Sequence, residues 1–600
     1  MGKARAWRGT LAGALVAMVL TALFYSLFFN RFLGLRSGNG EFGGGDAIVH
    51  GILPFRDYFA TSPPFNQLKA GLLLKIFGDK LIVLRTSGMI ERSVIALIVY
   101  LWLRRLARPA HAAIAAFATL VISAGDGSDP IASYNHDCML FAILSGYLAG
   151  FVLERIRSNR FTVWIAIASG AAAGFSLLTK QTIGLGAVVA VPLVVAAILW
   201  RRQSLYRAFL WLFPFGLGVA VPVGSLLVWL ARLHVLRTFL FQDFIQGPAA
   251  KAQNGGDFVT RALMVADFSP RQCLVAAAGT AILLWFLLRG CRSSASQGES
   301  DGPAWEMLAV ALAGATSIGL GVVVTYHHIG HSHPSWPTNA IILTCIGIMV
   351  LLFVGTWQLL AGTLDDQRTQ VYLFAAVSFN IAFMLSLSYP VFAAMLLPGL
   401  GLLIAGGLSG SRGLARLAIY AVVLLTCADL VRLKLEVPFG FGGLTDGSVE
   451  TATFASDQPK LEGIYLPEAT ARLVDGVAAA VAANTAPSDT IFTYPEMGIF
   501  YALTEHKYPT ESGSHNVDVV NDALASSEAR RLLASPPKVL IYMPETEAQL
   551  LGGEHMFRHG HRMGQRDIIA AVESLAKRYR LAGIYSTLPA NQNIYVYVRP

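Results

Sequence analysis

Two carboxylates, Glu41 and Asp46, stand in a glycine-rich run (38–46) shortly after the first apolar stretch of the chain. A positioned carboxylate can take the proton from a weak nucleophile such as a hydroxyl, help of a kind typically worth about 10²–10⁴-fold. A second group, Asp126, Asp129 and Tyr134-Asn135-His136-Asp137, leads into an apolar run from Met139. An unpaired acid there would be costly. His136 and Asp137 therefore read either as contacts to a substrate, a phosphate or a metal, or as an N-cap, a position that Asn and Asp favour. A third group holds His327, His328, His331 and His333. His327 and His331 are one helical turn apart, a spacing at which neutral imidazoles bind a divalent ion such as zinc, with Glu41, Asp46 or Asp137 completing the shell. The same histidines, protonated, suit a phosphate, and a polar loop explains them as well.

Other charges join these groups. Lys180, between two apolar runs, is expensive unless it faces a cavity or snorkels to the interface, and it is read as a point-charge phosphate binder. Arg56-Asp57 is a candidate donor or acceptor contact, with Asp57 also read as a partner of Arg56 or a helix cap. Lys69 and Lys75 fall among Leu68, Leu72, Leu73 and Ile76, a spacing that suits a helix lying in the membrane interface with its lysines at head-group level. Lys69 is thereby a further candidate contact. Arg85, Glu91 and Arg92 form a cluster inside an apolar run, where Glu91 is expected to pair with a basic group and fix helix packing.

The elements that must carry these residues are membrane spans. The 600 residues are 54% hydrophobic and 14% charged, with mean hydropathy +0.54, against roughly 25% charged residues in soluble domains. A soluble enzyme is excluded. Runs long enough to cross about 30 Å of hydrocarbon fall near 10–33, 81–103, 110–125, 136–154, 161–179, 182–200, 208–233, 272–289, 305–325, 338–361, 370–387, 389–408 and 413–431, which predicts about 13 transmembrane helices. With the N-terminus inside, the inner loops collect Arg104, Arg105 and Arg108, then Arg155 and Arg157, then Arg201 and Arg202, then Arg368, then Arg412 and Arg416, as cytoplasmic loops should. The first run has a basic start but outlasts a signal-peptide core, so it is read as a retained span. The five cysteines lie in or beside apolar runs and offer neither a disulfide framework nor a metal knuckle.

Residues 1–431 thus read as a transmembrane domain with a first outer loop at 34–80, and residues 432–600 as an extracytoplasmic α/β domain. The net charge of +9 belongs to the first part, so no nucleic-acid domain is implied. In the second part, helical stretches near 468–484, 526–534 and 565–580 alternate with strand-like runs at Thr490 to Tyr494, Val539 to Met543 and Ile594 to Val598. Lacking cysteine, this part is expected to hold together by its own core.

The run Gly51-Ile52-Leu53-Pro54-Phe55-Arg56-Asp57-Tyr58, followed by Pro63-Pro64, Phe77-Gly78 and Arg85, resembles the first outer loop of the C-type membrane glycosyltransferases of the family-39 kind, which include protein O-mannosyltransferases and aminoarabinose transferases. The resemblance implies an enzyme of the bacterial inner membrane that takes a sugar from a polyprenyl-phosphate donor and attaches it to a glycan, lipid or protein acceptor on the outer face, by inverting single displacement. It implies a base in the first outer loop, and the relatives' adjacent Asp-Glu pair is absent here. Glu41 is favoured over Asp46 because it lies farther upstream of Gly51. Ser62 stands where many aminoarabinose transferases have Lys before Pro-Pro. A divalent metal is left open as a cofactor. The competing readings are a lipid-linked sugar flippase or other transporter, which needs polar residues through mid-span, and a non-enzymatic glycan-binding membrane protein. No phosphate-cradling Gly-Lys-Ser/Thr loop supports energy-coupled transport.

Overall fold

The computed structural model describes residues 2–35, 40–124, 131–155, 160–247, 336–384, 398–411, 413–436, 438, 447–517, 519–586 and 593–600. In chain order α1 (Gly2–Ser26) leads to two short helices, α2 (Gly40–Val49) and α3 (Phe65–Phe77), then to α4 (Leu81–Leu103), α5 (Pro109–Ser123), α6 (Tyr134–Arg155), α7 (Arg160–Thr179), α8 (Gln181–Arg202) and α9 (Leu205–Arg232). α10 (Leu236–Phe241) runs into a π-helical turn, Gln242–Gln246, and α11 (Trp336–Ala361), α12 (Asp366–Met384), α13 (Pro398–Gly410) and α14 (Gly413–Glu436) follow. Among the described residues, five helices are long and apolar enough to cross a membrane: the Gly9–Ser26 part of α1, then α6, α7, α8 and α9. The chain is membrane-embedded. On α9 the apolar residues Phe209, Phe213, Leu217 and Val221 are exposed at four-residue spacing, which is a lipid-facing stripe.

The thirteen expected spans map onto this unevenly. Those at 272–289 and 305–325 lie outside the described residues. α5 and α13 are short, at 15 and 13 residues, and α4 carries Arg85, Glu91 and Arg92 on buried positions. Helices approach closely where glycine permits it. A Cβ at Gly170 would lie 2.0 Å from the Phe215 carbonyl oxygen, and one at Gly218 would lie 2.1 Å from that of Ile167, so α7 and α9 pack backbone to backbone.

The same device explains the glycine-rich run. In place of solvated turns, residues 40–49 form α2, which packs on α3 through Gly45 and Gly71. A Cβ at Gly45 would meet Ala70 Cβ at 2.9 Å, and one at Gly71 would meet the Ile48 side chain at 2.7 Å. On α3, Leu72, Ile76 and Phe77 are exposed, while Ala70 and Leu74 turn inward.

The C-terminal segment pairs β1 (Phe454–Ala455) with β2 (Tyr465–Leu466), then alternates α15 (Glu468–Ala482), β3 (Ile491–Tyr494), α16 (Ile499–Thr504), α17 (Asp522–Ala534), β4 (Val539–Tyr542), α18 (Glu547–Arg558), α19 (Gln565–Ala576), β5 (Arg580–Ser586) and β6 (Asn593–Val598). The sheet order is β3-β4-β6-β5, with β3 and β4 parallel and the other neighbours antiparallel. β5 and α18 escaped the sequence reading. So did the source of the core. One face of the sheet, with Ile491, Val539, Ile541 and Val596, packs in a single cluster with Leu33, Leu35, Phe42, Ala70, Leu74 and Leu84 of the first loop and α4. This corrects the expectation of a self-contained core: the sheet and the first loop bury one another.

Substituting Gly45 by Ile should overpack the α2–α3 contact and destabilise the protein by about 1–3 kcal/mol. Gly40→Ala, where a Cβ meets nothing within 4 Å, should leave thermal unfolding in detergent unchanged; equal shifts for the two variants would contradict the packing.

Candidate active site

Three elements deliver charges to one buried point. α3 brings Lys69, α4 brings Glu91, and the first turn of α6 brings Asp137. The Lys69 ammonium lies 3.0 Å from Glu91 and is also hydrogen-bonded to Asp137; both carboxylates are nearly inaccessible. Asn66, one turn before Lys69, donates to the other Asp137 oxygen at 2.7 Å and to the Ala132 carbonyl at 3.1 Å. Glu91 Oε1 is buried with no hydrogen-bond partner. Burial alone would lower the pKa of Lys69, but the carboxylates outweigh it and hold the ammonium above the usual lysine range. The Lys69 ammonium is therefore engaged inside the protein, whereas the interface-helix reading expected it to face lipid head groups. It is the cation that Glu91 required, supplied by the loop instead of by a neighbouring span.

His136 and Arg92 build the layer beside this point. Arg92 reaches the His136 Nε2 at 3.2 Å and the Ile131 carbonyl at 3.3 Å, and lies over the Tyr25 ring. Ser133 holds the other ring nitrogen at 3.0 Å. Asp137 sits inside the first turn of α6, not at its N-cap. Lys180 precedes α8 and is buried; its ammonium donates to the Asn135 side chain at 2.6 Å and faces the Tyr134 ring. Next to it, Gln181 donates to the Thr61 carbonyl at 3.2 Å and to the backbone and side chain of Asp243, while Gln242 accepts from the Ala60 amide at 3.2 Å. The π-helical turn thus ties the Pro63-Pro64 segment to the Lys180 turn. No sequence signal marked Gln181, Gln242 or Asp243 for this, because a π-turn has no short motif.

The two loop acids occupy different settings. Glu41 is half-buried in the first turn of α2. Asp46, one turn farther along, faces away into the C-terminal segment, where Lys460 bridges Asp46, Asp79 at 3.1 Å and Glu505 at 3.2 Å. Burial pushes the Asp46 carboxyl up to about 6, with Lys460 opposing and Asp79 adding to the rise. Asp46, His50 and Asp79 bring ligand atoms within 4.8 Å of one another, but the Lys460 ammonium already stands where a cation would. Arg56 and Asp57 pair at 2.7 Å, and Asp57 accepts from the Leu53 amide at 2.7 Å, closing the turn that begins at Leu53; the Arg56 guanidinium holds Asp57 below the usual carboxylate range. Of the second acidic group Asp126 and Asp129, and of the histidine group His327, His328 and His331, all lie outside the described residues.

Residues 61–229 match the model of the dolichyl-phosphate-mannose-protein mannosyltransferase family. Over that stretch the chain resembles the C-type membrane glycosyltransferases. The match takes in Lys69, Glu91, His136, Asp137 and Lys180, and begins after Glu41, Asp46, Arg56 and Asp57. Among solved structures, ArnT from Cupriavidus metallidurans in the apo state aligns at 13% identity over 99% of this chain and 98% of its own, with a TM-score of 0.43. The archaeal oligosaccharyltransferase AglB from Archaeoglobus fulgidus aligns at 12% identity over 97% and 74%, with a TM-score of 0.41. No curated protein matches the sequence.

Two outcomes test the electrostatics. Lys69→Met leaves two carboxylates buried without their cation and should cost about 3–5 kcal/mol; adding Glu91→Gln should recover part of that loss in thermal unfolding, whereas additive losses would show that Lys69 does not hold the pair. Asp46 binds its proton more tightly folded than unfolded, so its contribution to stability is present at low pH and lost as pH rises through about 6. The melting temperature should fall by a few degrees between about pH 4 and 6, and Asp46→Asn should flatten that slope.

Proposed function

We propose that this protein transfers a sugar from a polyprenyl-phosphate donor to an acceptor hydroxyl or amine on the outer face of the bacterial inner membrane, by a single inverting displacement. The observation that carries the reading is the buried set of Lys69, Glu91 and Asp137, with Lys180 immediately before α8, inside the stretch that matches the family. The division into a membrane part, 1–431, and an extracytoplasmic part, 432–600, belongs to the same proposal.

In this mechanism Glu41 is the base. It removes the acceptor proton as the acceptor attacks the anomeric carbon and the lipid phosphate departs from the opposite side. Asp46 is a poor second choice because Lys460, Asp79 and Glu505 enclose it, so its carboxylate serves to hold α2 in place. Lys180 takes the departing phosphate as a point charge, oriented by Asn135 and by the Gln181 link to the Pro63-Pro64 segment. The Lys69–Glu91–Asp137 point is close enough in sequence and packing to fix α3 against the spans, and Arg92 with His136 supplies a further cationic and polar wall. Lys69, Asp137 and Lys180 stand in the first loop or at the start of a helix, and Glu91 meets Lys69 and Asp137 from within α4. The charges therefore form one compact set and not a path through the spans, which favours transfer over transport.

The test is transfer of radiolabelled sugar from a panel of polyprenyl-phosphate donors by the purified protein in lipid. Glu41→Gln should lower transfer by about 10²–10⁴-fold with unfolding unchanged, while Asp46→Asn should retain most activity. Labelled lipid that crosses the bilayer at equal rates in both variants, with no donor consumed, would replace the transferase by a flippase.

A further inference from the structure

The second face of the four-stranded sheet, where Phe59 of the first loop also packs, is fully covered only on its β3–β4 half. On β3 and β4, Phe492, Tyr494, Leu540 and Tyr542 are buried under α17 and α19 with Leu532, Ile568 and Val572. The β6–β5 half is only partly covered, with Tyr597 packing at the edge of that cluster. Register places Tyr494, Tyr542 and Tyr595 side by side on adjacent strands, and Tyr597 follows two residues on, so it shares their face. Opposite Tyr595 and Tyr597 on β5 are Ile584 and Leu581, which are 52% and 44% exposed. The half-buried Tyr595 and Tyr597 rings stack at 6.1 Å with only 16° between their planes.

The two ends of this strip differ. At one, Ser586 and Asn593 form a hydrogen-bonded polar pair at 2.9 Å. At the other, cations gather: Arg599 continues the row of Tyr595 and Tyr597, it and Arg578 both flank Tyr579, and Lys538 donates to the Arg599 carbonyl at 2.8 Å. No Asp or Glu follows Glu573 in the chain. Arg472, Arg531, Arg558, Arg562 and Arg566 of this segment each pair with a carboxylate, and Arg580 donates to the Asn484 side chain. Lys577, Arg578 and Arg599 are exposed, and among the described residues none of them pairs with an acid. At this end of the strip, cations therefore gather without an acid paired to them among the described residues.

We infer that this strip binds an anionic glycan, and, resting there on the transferase reading, that this glycan is the acceptor. Flat, half-exposed tyrosine faces suit the C–H faces of sugar rings, with each phenol able to meet a hydroxyl, and the Ser586–Asn593 pair offers further hydroxyl partners. The guanidinium forks suit a carboxylate or phosphate on the chain. A lipid head-group layer would use the cations but not the stacked rings.

The experiment measures binding of a carboxylated sugar chain, oligogalacturonate, and of its uncharged methyl ester, to the full-length protein in nanodiscs of zwitterionic lipid. Wild type should prefer the charged form. Lys577→Gln with Arg578→Gln should weaken the charged form by about tenfold, the loss of two exposed charge contacts, and leave the ester and the unfolding temperature unchanged; Tyr595→Ala should weaken both forms. Absence of oligogalacturonate binding, or variants that bind like wild type, would overturn the inference whatever the transfer assay shows. Equal competition by anionic phospholipid vesicles or a single-stranded oligonucleotide would also overturn it, because the strip would then read charge alone. Normal binding in a protein that transfers no sugar to any acceptor would instead remove the transferase reading and leave the glycan site standing.

Discussion

Two carboxylates cannot remain buried together without a cation, and in this protein the cation comes from a loop. Lys69 meets Glu91 from within α4 and Asp137 in the first turn of α6, and breaking such a set costs far more than a surface pair does. The position of α3 follows from it, and with α3 the position of α2, whose glycines let it lie against Ala70 and Gly71. Glu41 is carried on that second helix. An electrostatic demand inside the membrane part therefore sets where the proposed base stands.

The opposite side of α2 is held from the far end of the chain. Lys460 gathers Asp46, Asp79 and Glu505, Tyr465 exchanges backbone hydrogen bonds with Asn30 and Phe32, and the Phe59 amide donates to the Glu511 carbonyl. Around these polar ties the apolar residues of the loop and the sheet form a common core. The first loop is clamped between the spans below and the sheet above.

Much of this was legible in the residues. The apolar runs located α4, α6, α7, α8 and α9 to within a few positions, and alternating turn and strand signals located β3, β4, β6 and the helices α15, α17 and α19. The buried charges of α4 announced that Glu91 needed a partner. What stayed hidden depends on contacts distant in sequence. The run from Gly38 to Asp46 reads as turns because glycine is a poor helix former in isolation, and only the approach of α3 shows why a helix there needs small residues. Asp46 and Glu41 look equivalent as loop acids, yet Lys460, remote in the chain, separates them. β5 was missed because its Gly583 interrupts the alternation at a register shift beside Leu581.

The shared core also bears on how the chain is made. Asp46 and Lys460 are 414 residues apart, so Leu33, Leu35 and Phe42 emerge early in synthesis while the strands that cover them emerge last. Closing so long a loop adds only a slowly growing entropic cost, and the equilibrium fold bears it readily. During biogenesis, however, the first loop must wait with apolar side chains uncovered until the end of the chain arrives. A chain lacking β6 would leave part of that loop's apolar surface uncovered and prone to association.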